Sequence, residues 1–140
     1  MKDLTAFNNK FRVEYFKVDE SKYWIWSLRP LQPTLGAGIL SLKRYANSFS
    51  DITLEEGKDL SIITKLIEKK LYETFNYDKI NYLMLMMVDP HLHFHIIPRY
   101  SRAVEFENML WVDKGWPGLP NLDSREISEN MLLNIKKALE

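Results

Sequence analysis

Apolar residues recur along this chain with two periods. Arg12–Val18 and Tyr23–Leu28 are rich in β-branched and aromatic residues, and both read as strands. Pro30 and Pro33 interrupt the pattern, and Gly38–Lys43 (Gly-Ile-Leu-Ser-Leu-Lys) resumes it as a third strand. At Thr53 the period changes. Thr53 followed by Glu56 is a capping box, and Leu60, Ile63, Ile67 and Leu71 then fall on one helical stripe. Asn76 and Asp78 close that helix. Ile80–Val88 is apolar at both alternating positions, the pattern of a central strand covered on both faces. A last helix is expected from about Asp123, with Glu126 completing a second box and Ile127, Met131, Ile135 and Ala138 as its stripe. The sum is an α+β fold: an antiparallel sheet with helices packed on it, in one domain spanning residues 1–140.

Composition narrows the chemistry. There are 140 residues and no cysteine, which removes disulfides, thiolate metal sites and cysteine nucleophiles together. Nineteen basic residues balance nineteen acidic ones, and no basic run appears, so binding through phosphate neutralisation of nucleic acid is not expected. No apolar run approaches the ~20 residues of a membrane span. The first residues, Met1-Lys2-Asp3-Leu4-Thr5, lack the apolar core of a signal peptide. These features fit a soluble, cytoplasmic protein.

All three histidines of the chain lie in Asp89-Pro90-His91-Leu92-His93-Phe94-His95-Ile96-Ile97-Pro98-Arg99. Spacing two puts His91, His93 and His95 on one face of a strand, ~6.6 Å apart, with Leu92, Phe94 and Ile96 on the other. A lone strand histidine is ordinarily structural. Three on one face, with none elsewhere, call for chemistry. Two chemistries fit. Histidines at spacing two can share a zinc ion, with Asp89, Glu105 or the third histidine completing the set. Alternatively, a neutral imidazole attacks phosphorus while its neighbour protonates the leaving group, since histidine titrates near neutrality.

The sequence His91-x-His93-x-His95-x-Ile97, with an apolar residue at each x and Pro98-Arg99 after it, resembles the signature of the histidine-triad (HIT) superfamily. The likeness extends over roughly Tyr23–Tyr100: a strand ending in Lys43-Arg44, a capped helix from Thr53, a strand at Ile80 and then the triad. The resemblance implies a half-barrel-like antiparallel sheet of about five strands with flanking helices, often as a homodimer. It implies a nucleotide hydrolase or transferase that displaces a leaving group from an α-phosphorus without a metal or other cofactor. His93 would be the nucleophile, His95 would contact the phosphate and assist the leaving group, and His91 would orient His93 or hold a phosphate oxygen. The substrate would be a small nucleotide.

The chain also departs from that pattern. Many members carry Gly-Gln-Ser or Gly-Gln-Thr before the triad as phosphate donors, where this chain has Met86-Met87-Val88-Asp89-Pro90. An acidic residue that meets the ribose in many members is replaced near Arg29. Arg29, Lys43 and Arg99 are candidate phosphate cations, and Asn81 is a candidate phosphate donor. Each could equally be a solvated or sheet residue. The segment Trp111–Pro120 is either a loop over the site or a tail packed on the sheet. The altered shell raises a second functional class, a nucleotide-binding module without turnover; a divalent-metal protein is the third.

Overall fold

A computed structural model describes residues 2–123 and 126–140. Its centre is a five-stranded, wholly antiparallel sheet of β1 (Lys17–Glu20), β2 (Trp24–Leu28), β3 (Gly38–Leu42), β4 (Lys79–Leu83) and β5 (His93–Arg99), in the order β1-β2-β3-β5-β4. Helix α1 (Lys2–Phe11) precedes β1, α2 (Leu54–Phe75) follows β3, and α3 (Glu129–Leu139) ends the chain. A short hairpin, β6 (Val104–Phe106) with β7 (Met109–Trp111), follows β5. This is the expected α+β fold.

Register divides the sheet into two unlike faces. One carries Trp24, Trp26, Leu28, Leu40, Leu42 and Ile96, packed with Ile63, Ile67, Leu71 and Phe75 of α2 in the main core. The α2 stripe is the one expected from sequence, and the helix ends are built as expected. Thr53 accepts from the Glu56 N–H while the Glu56 carboxylate accepts from the Thr53 N–H, and Asn76 closes the helix at φ 52°. Gly38 is required by packing: a Cβ there would lie 2.9 Å from the Ser27 carbonyl oxygen and 3.0 Å from the Trp26 ring nitrogen. The opposite face carries Ile25, Ser27, Ile39, Ser41, His93, His95 and Asn81, and α1 lies across part of it through Phe7 and Phe11.

Four expectations need correction. The strand expected over Arg12–Val18 is mostly turn; α1 precedes it and β1 starts at Lys17. The signal for α1 was present, since Leu4, Phe7 and Phe11 fall at i, i+3 and i+7 with Asp3 in the first turn and Lys10 in the last. The strand expected over Ile80–Val88 is short and lies at the sheet edge. Beyond Leu83 the chain becomes an exposed loop, with Met87 85% and Val88 84% exposed. The third helix starts at Glu129, capped by Ser128, rather than near Asp123; Ser124 and Arg125 fall outside the described residues. His91 precedes β5 and is not a strand residue.

Candidate active site

The site is built where β5 begins. Leu92 is zipped to both sides of the β3 exit: its N–H donates to the Ala46 carbonyl at 2.7 Å, and its own carbonyl accepts from the Leu42 N–H at 3.2 Å. That clamp fixes the backbone of the histidine run. His91 fills the space beside it. Its Nε2 lies 2.8 Å from the Leu42 carbonyl oxygen, and its Nδ1 accepts from the Ala46 N–H at 3.4 Å. A carbonyl only accepts, so Nε2 carries the proton and His91 is neutral. Tyr45 stacks on the ring at 5.5 Å. Both nitrogens of His91 are therefore spent on the backbone, and the ring is a strut between β3 and β5.

His93 is held differently. Its Nδ1 lies 2.5 Å from the His91 carbonyl oxygen, which again only accepts. The proton therefore sits on Nδ1, leaving the Nε2 lone pair as the reactive end. Burial pushes the His93 imidazole below its ordinary pKa, so the ring is neutral at pH 7. The His95 ring stands edge-on to it at 4.9 Å. Burial, with smaller contributions from His93 and Arg29, pushes His95 down to about 4.

Polar capacity on this face is left unspent. Ser27, Ile39 and His95 form one cross-strand row, and both the Ser27 hydroxyl and His95 Nδ1 are buried without a hydrogen-bond partner among the described residues. Each such group costs about 1–3 kcal/mol, a cost tolerated where a ligand will satisfy it.

Helix α1 closes over the histidines. The Phe7 ring is 4.9 Å from His91 and 4.8 Å from His93, and Phe11 is 6.1 Å from His93 and 6.5 Å from His95. His91 and His93 are each 1% exposed. The Lys10 ammonium lies 2.9 Å from both carboxylate oxygens of Asp89, tying the helix to the loop before the triad. Neither Phe7, Phe11 nor Lys10 was singled out from sequence, because the helix that carries them was not.

The four outer candidates separate. Arg29 follows β2, its N–H donating to the Ala37 carbonyl, and it is close enough to depress His95. Its Nη1 donates to the Leu31 carbonyl at 2.8 Å. Lys43 lies 2.6 Å from Glu20, whose carboxyl is held near 2 chiefly by Lys17 and Lys43. Arg99 is buried at the far end of β5. It donates to both Asp113 oxygens at 2.6 and 3.2 Å, to Asn81 Oδ1 at 2.8 Å and to the Gly118 carbonyl at 2.9 Å. Arg99 and Asn81 thus clamp the segment after β7 against the sheet. That segment, from Trp116 to Pro120, borders a cleft of about 610 Å³ whose other wall is Lys79–Leu83 with Arg99. Of the two expectations for Trp111–Pro120, the segment held against the sheet is the one these contacts fit.

Among the described residues no group of three His, Asp or Glu side chains is placed to hold a metal ion, and His91 has no nitrogen to offer one.

Comparison with known proteins identifies the family and the fold. The HIT domain family matches residues 32–102, just over half of the chain. The chain belongs to the HIT family. No curated protein matches the sequence. Among solved structures, the HIT member is similar to a hypothetical histidine triad nucleotide-binding protein from Sulfolobus tokodaii: 16% identity over 99% of this chain and 89% of that one, TM-score 0.71. A histidine triad protein from Sinorhizobium meliloti is 19% identical over 91% of this chain and 90% of its own, also with TM-score 0.71. A diadenosine triphosphate hydrolase from Plasmodium falciparum is 16% identical over 74% of this chain and 86% of its own, with TM-score 0.54. At these identities the structural likeness establishes the fold.

Proposed function

We propose that this HIT protein is a hydrolase or transferase that cleaves a bond at the α-phosphorus of a nucleotide, through a covalent nucleotidyl-His93 intermediate. The observation that carries the reading is the His93 Nδ1 hydrogen bond to the His91 carbonyl, which leaves Nε2 as a neutral, oriented nucleophile. Nε2 attacks phosphorus, a P–N bond forms, and the bond from phosphorus to the leaving oxygen or nitrogen breaks. The leaving group departs with that electron pair and takes a proton from His95. Water then attacks phosphorus, its proton passes to His95, and the P–N bond breaks to return free His93 and a nucleoside monophosphate. In a transferase another nucleophile replaces the water.

His95 is neutral beneath α1, so it takes up a proton from solvent as the anionic α-phosphate arrives and raises its pKa. His91 positions His93 through its carbonyl. Arg29, beside His95, is the outer cation best placed for the substrate. Lys43 and Arg99 are committed to Glu20 and Asp113, so their contribution is to hold the walls, as is that of Asn81. The reading extends to a cytoplasmic homodimer. The outer edge of β4, paired with no other strand among the described residues, supports the second copy, and no helix described is long and apolar enough to cross a membrane.

The test is turnover of an adenosine phosphoramidate and a dinucleoside polyphosphate by wild type, His93→Ala and His93→Asn, with acid quench and intact mass. A nucleotidyl adduct on wild type, absent from both variants, is expected. Equal turnover by wild type and His93→Ala overturns the reading. A second reading, nucleotide binding without turnover, is favoured by the exposed apolar loop at Met87 and Val88. It predicts saturable nucleoside monophosphate binding with neither adduct nor product.

A further inference from the structure

The proposed chemistry needs positive charge at the attacked phosphate, and the loop before the triad supplies none. Met87 and Val88 are exposed apolar side chains, and Asp89 is an anion. Asp89 is close enough to raise both His93 and His95, so an approaching phosphate would meet its repulsion. Lys43 and Arg99 are paired with carboxylates. Arg29 stands close to His95, and a second cation, from α1, stands close to His93.

Lys10 sits one residue before Phe11, whose ring packs beside His93 and His95. Its ammonium is 2.9 Å from each Asp89 oxygen, and close enough to His93 to oppose its protonation. The pair is not buried: the Lys10 side chain is 51% exposed and Asp89 22%. Exposed ion pairs are worth little and exchange partners readily. Phe7 and Phe11 meanwhile pack against the His93 ring, which is 1% exposed, so α1 must shift before any phosphorus reaches it.

We propose that Lys10 is a phosphate-binding residue, held in reserve by Asp89, and that the substrate's phosphate takes Asp89's place on the Lys10 ammonium as α1 lifts from the histidines. The inference rests on the nucleotide reading above and deepens it. The ligand class is a phosphate monoester or anhydride of a nucleoside. The phosphate contact that the loop does not supply comes instead from a helix that also shields the nucleophile when no phosphate is present.

The two partners then have opposite effects, which separates this role from a structural tie. If the pair only held α1 down, Lys10→Met and Asp89→Asn would act alike. If Lys10 binds phosphate while Asp89 competes for it, they diverge. The experiment measures AMP affinity by calorimetry, and KM and kcat on the phosphoramidate, for wild type, Lys10→Met, Lys10→Arg and Asp89→Asn, with thermal melts to confirm folding. Lys10→Met is expected to weaken AMP binding about tenfold and raise KM in step, with kcat little changed, as for loss of one charge-assisted hydrogen bond. Lys10→Arg should retain most of the affinity. Asp89→Asn should tighten AMP binding several-fold.

Unchanged affinity in Lys10→Met, or a shift of Lys10→Met and Asp89→Asn in the same direction, overturns the inference. If those variants behave so while wild type still forms the His93 adduct, the inference falls and the catalytic reading stands. If the opposed shifts appear in AMP binding without any adduct, the reverse holds. No saturable AMP binding by wild type overturns the inference, and with neither adduct nor turnover it overturns the catalytic reading as well.

Discussion

The two faces of this sheet are covered by helices of very different kinds. On one face α2, 22 residues long with both ends capped, packs a continuous apolar stripe onto Trp24, Trp26, Leu40 and Leu42. On the other, α1 has ten residues and only two buried rings, and beneath it lie histidines and an unpaired serine hydroxyl. The first cover gains from its full apolar area. The second leaves polar groups unsatisfied for as long as it is closed. A sheet built this way has an apolar helix cover on one side and a cover over polar groups on the other. The weaker cover is therefore the one that can open without unfolding the domain.

Substitutions that break the comparison rank by how much each face has to lose. The largest effect is expected at Arg99, which pins the far end of the histidine face. Arg99→Met strands the buried Asp113 carboxylate and should cost about 4 kcal/mol in urea denaturation. Ile67→Ala on the α2 face should cost about 3 kcal/mol by the same measurement, since it opens a cavity in a fully buried cluster. Phe7→Ala should cost less, about 2 kcal/mol, because α1 can detach while the sheet stays folded. Amide exchange should speed in α1 and not in α2. A loss from Phe7→Ala as large as that from Ile67→Ala, with exchange faster throughout, would erase the distinction between the covers.

The difference between the faces also sets a pH dependence. His95 has a folded-state pKa of about 4, below its ordinary value of 6.5. Between those values the unfolded chain binds more protons than the folded one, so stability falls as pH drops from about 6.5 to 4. His91 and His93 are depressed as well and act in the same direction. Thermal melts should show wild type losing stability more steeply than His95→Gln as pH falls from about 6.5 to 4. Parallel curves would show that His95 is not desolvated by α1. The smallest effect concerns the outer cap of the stable cover: Thr53→Ala should cost about 1 kcal/mol.

What the sequence disclosed follows the same division. The α2 stripe, the capping box and the alternation of Phe94 and Ile96 against His93 and His95 were legible because period and burial agree there. The histidines stood out in the sequence because all three lie at spacing two, although His91 proves to be a strut before β5 rather than part of the strand row. Helix α1 was missed because its apolar stripe is only Leu4, Phe7 and Phe11, interrupted by Asn8 and Asn9, and the β-branched run after it drew attention instead. The edge strand was misread because Met84, Met86, Met87 and Val88 prolong an apolar run that the chain in fact turns out into solvent. The hydrogen bonds that distinguish His91 from His93 were not legible in the residue pattern, and only the family resemblance suggested that the three differ. They depend on carbonyls of Leu42 and His91, and no side-chain pattern encodes which backbone oxygen a ring nitrogen will meet.

The nucleophilic role proposed for His93 requires its proton to sit on Nδ1. Nitrogen NMR of the ring atoms in protein labelled with 15N-histidine, near pH 7, reads that tautomer directly. The expected result is a neutral His93 with a protonated Nδ1 and a bare Nε2, opposite to His91, whose proton belongs on Nε2. A His93 proton found on Nε2 would leave no lone pair facing the substrate and would contradict the nucleophile assigned to it.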